Sequence, residues 1–211
     1  MQHAVTHTDI YQLIESPDDN YSVIQDYLDS LKVGEHYSAL EHLNRYQQRK
    51  LFHKCAQADA IDLGYFVSTD ETPLSTRRLY GRNTLPLFGQ GRVFEKRMCR
   101  PLKNQEKGDV LYGFNHTAYM AWFGPGYFVA QNTPDYLDWQ GRGGVVIDYF
   151  QKPIGDVPES WPSYRPNWFP PQALFYFHTR DFMRKVSEHV AIGVAYRNEN
   201  CLDHYFILVK E

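Results

Sequence analysis

Residues 118–131 read AYMAWFGPGYFVAQ, two aromatic-rich runs, Ala118–Phe123 and Tyr127–Gln131, joined through Gly124, Pro125 and Gly126. Runs of Tyr, Phe, Val and Trp broken by glycine and proline predict two strands and a turn. A link this short joins only antiparallel strands, because a parallel crossover needs about a dozen residues or more. The same pattern continues on both sides. Arg78–Gly81, Arg92–Arg100, Val110–Phe114 and Val145–Phe150 read as further strands with short connections. His189–Arg197 and Cys201–Lys210 form a predicted hairpin across Asn198-Glu199-Asn200, residue types that tolerate positive φ.

Between these strands, residues 151–171 hold Pro153, Pro158, Pro162, Pro166, Pro170 and Pro171 with Trp161, Tyr164, Trp168 and Phe169. Such a segment is neither regular helix nor central strand, and it reads as an ordered irregular cover or a lid. Gln172–Glu188 follows as one long predicted helix with Leu174, Phe175, Phe182, Met183 and Val186 as its apolar set. At the other end, Ser16-Pro17-Asp18-Asp19 offers an N-cap, a proline at the first helical position and two acids in the first turn. Ile24, Tyr27, Leu28 and Leu31 continue at helical spacing to Gly34, which predicts a helix over about 17–33. A second helical stretch, of one or two helices, is predicted over about 38–60, with a break in its period near 44–47.

The expected fold is therefore α+β: one domain over 1–211, helical over 1–62 and a curved, mainly antiparallel sheet over 65–211. The sheet is expected to be half-barrel or barrel-like, with N-terminal helices before it and the long helix ahead of a C-terminal β-hairpin. Composition agrees with a folded chain. Of 211 residues, 43% are hydrophobic, 16% aromatic and 22% charged, which excludes disorder, collagen and coiled coil. A chain of this length buries about 70% of the surface its unfolded form exposes, so neither disulfide nor metal is needed.

Charge is uneven. Residues 1–72 carry 12 acids and 5 bases, residues 77–107 carry 2 acids and 9 bases, and residues 108–211 carry 11 acids and 8 bases. The basic block Arg77, Arg78, Arg82, Arg92, Lys96, Arg97, Arg100, Lys103 and Lys107 is interleaved with Leu79, Tyr80, Phe88, Phe94 and Met98. Docking of the acidic N-terminal third onto it is the favoured reading, ahead of an anionic small-molecule site and well ahead of nucleic acid, which a pI near 6.3 argues against.

The start of the chain lacks the basic and apolar parts of a secretory signal, and the longest apolar stretch, Ala118–Ala130, is interrupted and shorter than the about 20 residues of a membrane span. A cytoplasmic chain with no membrane partner is expected. Cys55, Cys99 and Cys201 fit no disulfide framework or paired metal motif. No metal and no cofactor are expected. Common nucleotide, hydrolase and metalloprotease signatures are missing, and Gly141-Arg142-Gly143-Gly144 precedes a strand and opens no helix, so it reads as a hairpin turn.

Charges inside apolar strands are more informative. Asp148 shares a face with Val146 and Phe150; Glu95 and Arg97 share one with Val93 and Cys99, opposite Phe94, Lys96 and Met98. Whichever register holds, this second strand brings a charge to the interior. Asp203 and His204 lie on opposite faces of the last strand, so one of them meets the apolar side. Arg82 with Asn83, and Asn115 with His116, follow strand ends where a pocket mouth would lie.

Three readings result. The first is a binding protein whose aromatic-lined pocket, closed by 151–171, holds an apolar or aromatic small molecule bearing an acidic group, with Arg82, Arg97, Tyr127, Tyr149, Trp161 and Trp168 as ligand-binding residues. The second is an enzyme of isomerase, lyase or hydrolase type on the same architecture, with Asp148 or Glu95 as general acid or base and His204 or His116 as partner. The third is an interaction protein docking an acidic macromolecule on 77–107. A small-molecule partner is expected, and a homodimer is admissible.

Overall fold

A computed structural model describes residues 7–18, 21–86, 89–102, 109–134 and 136–210. Asp19, Phe88, Lys103 and Lys107 lie outside the described residues, as does the chain start before His7. Eight strands, β1 (Arg77–Asn83), β2 (Val93–Cys99), β3 (Leu111–His116), β4 (Phe128–Asn132), β5 (Val145–Asp148), β6 (Thr179–Lys185), β7 (Val190–Arg197) and β8 (Asn200–Val209), run in sequence order around a closed antiparallel barrel. Closure comes from β1 and β8, which pair over Tyr80↔Val209 to Asn83↔Phe206. Closing the sheet leaves no strand edge open, and eight strands give an interior that side chains fill or that holds one small ligand.

Inside and outside follow the period of two. Leu79, Phe94, Met98, Leu111, Phe128, Ala130, Val145, Ile147, Met183, Ala191, Phe206 and Leu208 form the inner cluster. Ile61, Leu63, Phe66 and Val67 join them from the segment before β1, where the single helical turn α5 (Leu63–Phe66) sits against the barrel. Asp62 caps that turn by accepting from Tyr65 N, and Leu63 N donates to Asn132 Oδ1 at 3.1 Å, so α5 is tied to the end of β4 and plugs one end of the barrel.

The outer wall has two coverings. Helices α1 (His7–Glu15), α2 (Tyr21–Asp29), α3 (Glu35–Leu40) and α4 (Arg45–Lys54) bury Ile10, Ile14, Ile24, Leu28, Leu40 and Leu51 against Val146, Phe182, Ile192, Val194, Tyr205 and Ile207 of β5–β8. Burying side chains of this size is worth about 1.5–3 kcal/mol each, which gives these short helices stability they lack in isolation. Asn44 and Gln47 form a reciprocal capping box at the start of α4. On the opposite wall, Cys99, Val110, Tyr112, Phe114, Tyr127 and Val129 are covered by Trp161. Segment 151–171 is thus a cover over the outside of β2–β4. Trp161 Nε1 donates to Thr76 Oγ1, Tyr127 Oη donates to Pro162 O, and Asn167 Nδ2 donates to the carbonyls of Tyr127 and Tyr149.

Three sequence expectations are corrected. The long helix over Gln172–Glu188 is instead a single turn, α7 (Ala173–Tyr176), followed by β6. Both faces of β6 are covered, Phe182 by the helical layer and Met183 by the barrel interior, so its apolar set does not alternate and mimics a helical stripe. The strand expected over Ala118–Phe123 is another turn of helix, α6 (Met120–Phe123), ended by Gly124 at φ 72°; a short run apolar throughout does not separate helix from strand. The helix expected over 17–33 is shorter: Ser16 N donates to Gln12 O, so this run ends α1, and α2 begins at Tyr21.

Candidate functional site

The site begins with the alternation of β2. Phe94, Lys96 and Met98 point into the barrel, and Val93, Glu95, Arg97 and Cys99 point out. Lys96 is therefore an ammonium-bearing side chain within the barrel, 2% exposed, and rings surround its Nζ: Phe94 at 5.5 Å, Phe128 at 5.0 Å, Tyr149 at 5.2 Å and Phe206 at 5.0 Å to the centroids. Three of these rings stand opposite a glycine on the neighbouring strand, in the pairs Gly81↔Phe94, Gly113↔Phe128 and Gly193↔Phe206. A Cβ on any of the three glycines would lie 2.3–2.5 Å from the ring it faces. The missing side chains let each phenyl lie against the barrel wall, and the rings form a cup around the amine.

Polar groups from three further elements meet Lys96. Its Nζ contacts Asn115 Oδ1 on β3 at 3.0 Å, Tyr149 Oη just after β5 at 2.6 Å, and Asp181 Oδ2 on β6 at 3.2 Å. Asn115 Nδ2 also donates to Tyr149 Oη at 2.9 Å, and Tyr149 Oη donates to Asp181 Oδ2 at 3.2 Å. Tyr176 stacks on Tyr149 at 5.1 Å and 25°. Burial dominates the electrostatics. It lowers the pKa of Lys96 against the pull of Asp181, and it raises that of the Asp181 carboxyl against the pull of Lys96. Both directions favour an uncharged pair, an amine beside a carboxylic acid, although the aromatic cup itself favours the ammonium. Burial also keeps the Tyr149 hydroxyl protonated, well above its ordinary range.

This network lies in a cavity of about 680 Å³ that opens at the barrel end opposite α5, and Phe94, Lys96, Asn115, Tyr149, Asp181 and Phe206 line it. Leu85 and Pro86 from the β1–β2 link, Tyr119 and Phe123 from the β3–β4 link, and Leu174–Tyr176 from the β5–β6 link line it nearer the rim. The lining is mostly apolar with a few converging polar groups, the usual make-up of a small-molecule site. Two buried polar atoms of cavity-lining residues, Arg197 Nε and His204 Nδ1, have no hydrogen-bond partner. Burial first, then Arg45 and Arg197, lowers the His204 pKa and favours its neutral form, with Asp203 opposing. Arg197 is fixed through Nη2, which donates to Leu174 O at 2.8 Å.

Of the residues singled out from sequence, Asn83, Asn115, Tyr149 and His204 line this cavity. Asp148 has outward parity, where it accepts from Phe150 N and pairs with Arg180 at 3.1 Å. Glu95 and Arg97 pair with each other on the outer wall at 2.8 Å, beside His116, whose pKa burial and Arg97 lower. Arg82 has outward parity on β1, between Gly81 and Asn83. Tyr127 and Trp161 belong to the outer cluster, and Trp168 is 62% exposed. The expected docking of the acidic N-terminal third onto the basic block is corrected: helices α1–α4 pack on β5–β8, and of four basic residues with acidic partners Arg77 meets Glu71, whereas Lys96 meets Asp181, Arg97 meets Glu95 and Arg100 meets Asp109, all outside that third.

Asp181 was missed because its segment reads as helix, and Lys96 because strand alternation does not say which face is inner. Lys96 shares a face with Phe94 and Met98, more apolar than Glu95 and Arg97 with Val93 and Cys99, and that contrast is a usable signal. Among the described residues no group of three or more His, Cys, Asp or Glu is placed to hold a metal ion, and no helix is long and apolar enough to cross a membrane. No family model, curated protein or solved structure matches the chain.

Proposed function

We propose that the barrel binds an apolar or aromatic small molecule bearing an acidic group, taken up through the open end. The observation that carries this reading is the cavity of about 680 Å³ with polar groups at both of its ends. The acidic group is assigned to the rim, where Arg197 Nε and His204 Nδ1 lack partners and a ligand oxygen would supply one to Arg197. The apolar body is assigned to the space between Phe94, Phe123, Phe175 and Phe206. The deep end meets Lys96, Asn115, Tyr149 and Asp181.

Anilinonaphthalene sulfonate, an aromatic acid with its own fluorescence, tests this. The native protein should bind it at one saturable site, and Arg197→Gln should weaken binding about tenfold, the worth of one charge-assisted hydrogen bond. Ala195→Trp places an indole in the cavity lining and should abolish binding while the chain still unfolds cooperatively. Equal binding by native protein and Ala195→Trp would overturn the reading.

A second reading, an enzyme of the same architecture, draws on one observation. Asp181 is a buried carboxyl raised toward neutrality beside a cavity, the environment of a general acid. On that reading Asp181→Asn keeps ligand affinity and loses turnover by about 10²–10⁴ fold.

A further inference from the structure

We propose that Lys96 is a nucleophile that captures an aldehyde or ketone as an imine on the cavity floor, so that the ligand class includes carbonyl compounds with an aromatic or apolar body. This rests on the cavity being a small-molecule site and adds to it a covalent step. The geometry is that of a reactive amine and not only of a buried ion pair. Lys96 lines the cavity, and the polar groups around its Nζ suit the steps toward an imine: Asp181 Oδ2 at 3.2 Å as proton donor and acceptor, Tyr149 Oη at 2.6 Å as hydrogen-bond partner, and Asn115 Oδ1 at 3.0 Å as acceptor from the amine and from the protonated intermediates. The cup of Phe94, Phe128, Tyr149 and Phe206 excludes water from the C=N bond and favours a flat, conjugated group beside it. Burial moves the amine toward its neutral, nucleophilic form and the carboxyl toward its acid form, as such a pair requires. A buried ion pair by itself adds little stability, so packing alone does not call for a lysine here.

The step balances. Nζ attacks the carbonyl carbon while the Asp181 carboxylic acid gives its proton to the carbonyl oxygen, forming a carbinolamine. Asp181 then takes a proton from the nitrogen and gives it to the hydroxyl, which leaves as water as the C=N bond forms, and takes the second nitrogen proton, so that the carboxylic acid is restored beside a neutral imine. Amine and carbonyl become imine and water, and no electrons are exchanged with any other reagent.

Naphthaldehyde, with naphthalenemethanol as its isostere lacking a carbonyl, tests the step. The native protein is treated with the aldehyde and cyanoborohydride at neutral pH, then weighed intact and peptide-mapped. The expected result is one addition of the aldehyde's mass less one oxygen, on the peptide containing Lys96. It should form at least about tenfold faster than on any exposed lysine and be suppressed by excess naphthalenemethanol. Lys96→Met should lose the adduct in a chain that still unfolds cooperatively. If that variant does not fold, the peptide map of the native protein decides the matter. Binding of naphthalenemethanol with Lys96 left unmodified overturns the imine and leaves the pocket standing; failure of naphthalenemethanol to bind overturns both.

Discussion

Gly113 faces Phe128 across the β3–β4 ladder, and a Cβ on Gly113 would lie 2.3 Å from the phenyl ring and 2.8 Å from the carbonyl oxygen of Arg97. With Gly81↔Phe94 and Gly193↔Phe206 it makes three glycine–phenylalanine pairs that shape the barrel interior around Lys96. Glycine weakens a strand through its backbone freedom, so a packing requirement at these positions explains its presence.

Gly113→Ala should therefore destabilise the fold although alanine is the better strand former. The methyl group drives the Phe128 ring toward Lys96 or the strand outward, an overpacking cost of about 1–3 kcal/mol. Urea unfolding checks this; an unchanged or raised midpoint would show that the ring moves freely and that the cup is not set by glycine.

Lys96 and Asp181 should behave as a costly pair. Removing one partner, as Lys96→Met or Asp181→Asn, leaves polar groups of the network unmatched and should destabilise by up to about 3–5 kcal/mol, whereas the double variant should be near native or more stable. The pH dependence follows from the two directions. Asp181 is raised, so its favourable contribution is complete below the usual carboxylate value, about 3.9, and is lost as pH rises through its folded value. Lys96 is lowered, so its contribution is complete above the usual lysine value, about 10.4, and is lost as pH falls through its folded value. Relative to the double variant, the native protein should be least stable between these limits. Unfolding of both proteins from acid to alkaline pH checks this, and parallel curves would contradict it.

Asp148 should matter for stability and not for ligand. Its carboxylate is buried on the outer wall, bonded to Phe150 N, Gln151 and Arg180, and Arg180 also pairs with Glu199. Asp148→Asn should cost about 1–3 kcal/mol and leave the affinity for anilinonaphthalene sulfonate within about twofold of native. A large loss of affinity at unchanged stability would place Asp148 in the binding machinery.

Tryptophan emission should be nearly silent to ligand. Trp139 packs in the helical layer, Trp161 belongs to the outer cover and packs on β2–β4, and Trp122 and Trp168 are exposed; none lines the cavity. Saturation with naphthalene-free aliphatic acids, which absorb none of the indole emission, should leave its maximum unmoved. A shift would mean that an element bearing one of these tryptophans, α6 or segment 151–171 among them, moves on binding.

The strands were legible as runs of Val, Ile, Tyr and Phe, but the Gly124-Pro125-Gly126 link whose brevity argued their direction joins α6 to β4 and not two strands. Loop brevity held at the terminal hairpin around Asn198-Glu199-Asn200, where Asn198 and Glu199 take φ of 48° and 65°. What the sequence hid traces to the double covering of the wall. Phe182 and Met183 are both fully buried on opposite faces of β6, so the strand lost its alternation and Asp181 was read onto a helix. The charge brought inside by β2 was anticipated, but Lys96 and Arg97 differ only in parity, and parity is decided by closure with β1 and β3. The glycine–phenylalanine pairs depend on register between strands and leave no local trace.

Backbone amide NMR of the native protein titrated with naphthoate, an aromatic acid, tests most directly whether the barrel interior is the binding site. Shifts are predicted to concentrate at Phe94, Lys96, Asn115, Asp181, Ala195, Arg197 and Phe206, which line one cavity from β2, β3, β6, β7 and β8. Shifts confined to the outer wall around Arg97, Tyr127 and Trp161, or none at a concentration where binding is independently detected, would contradict it.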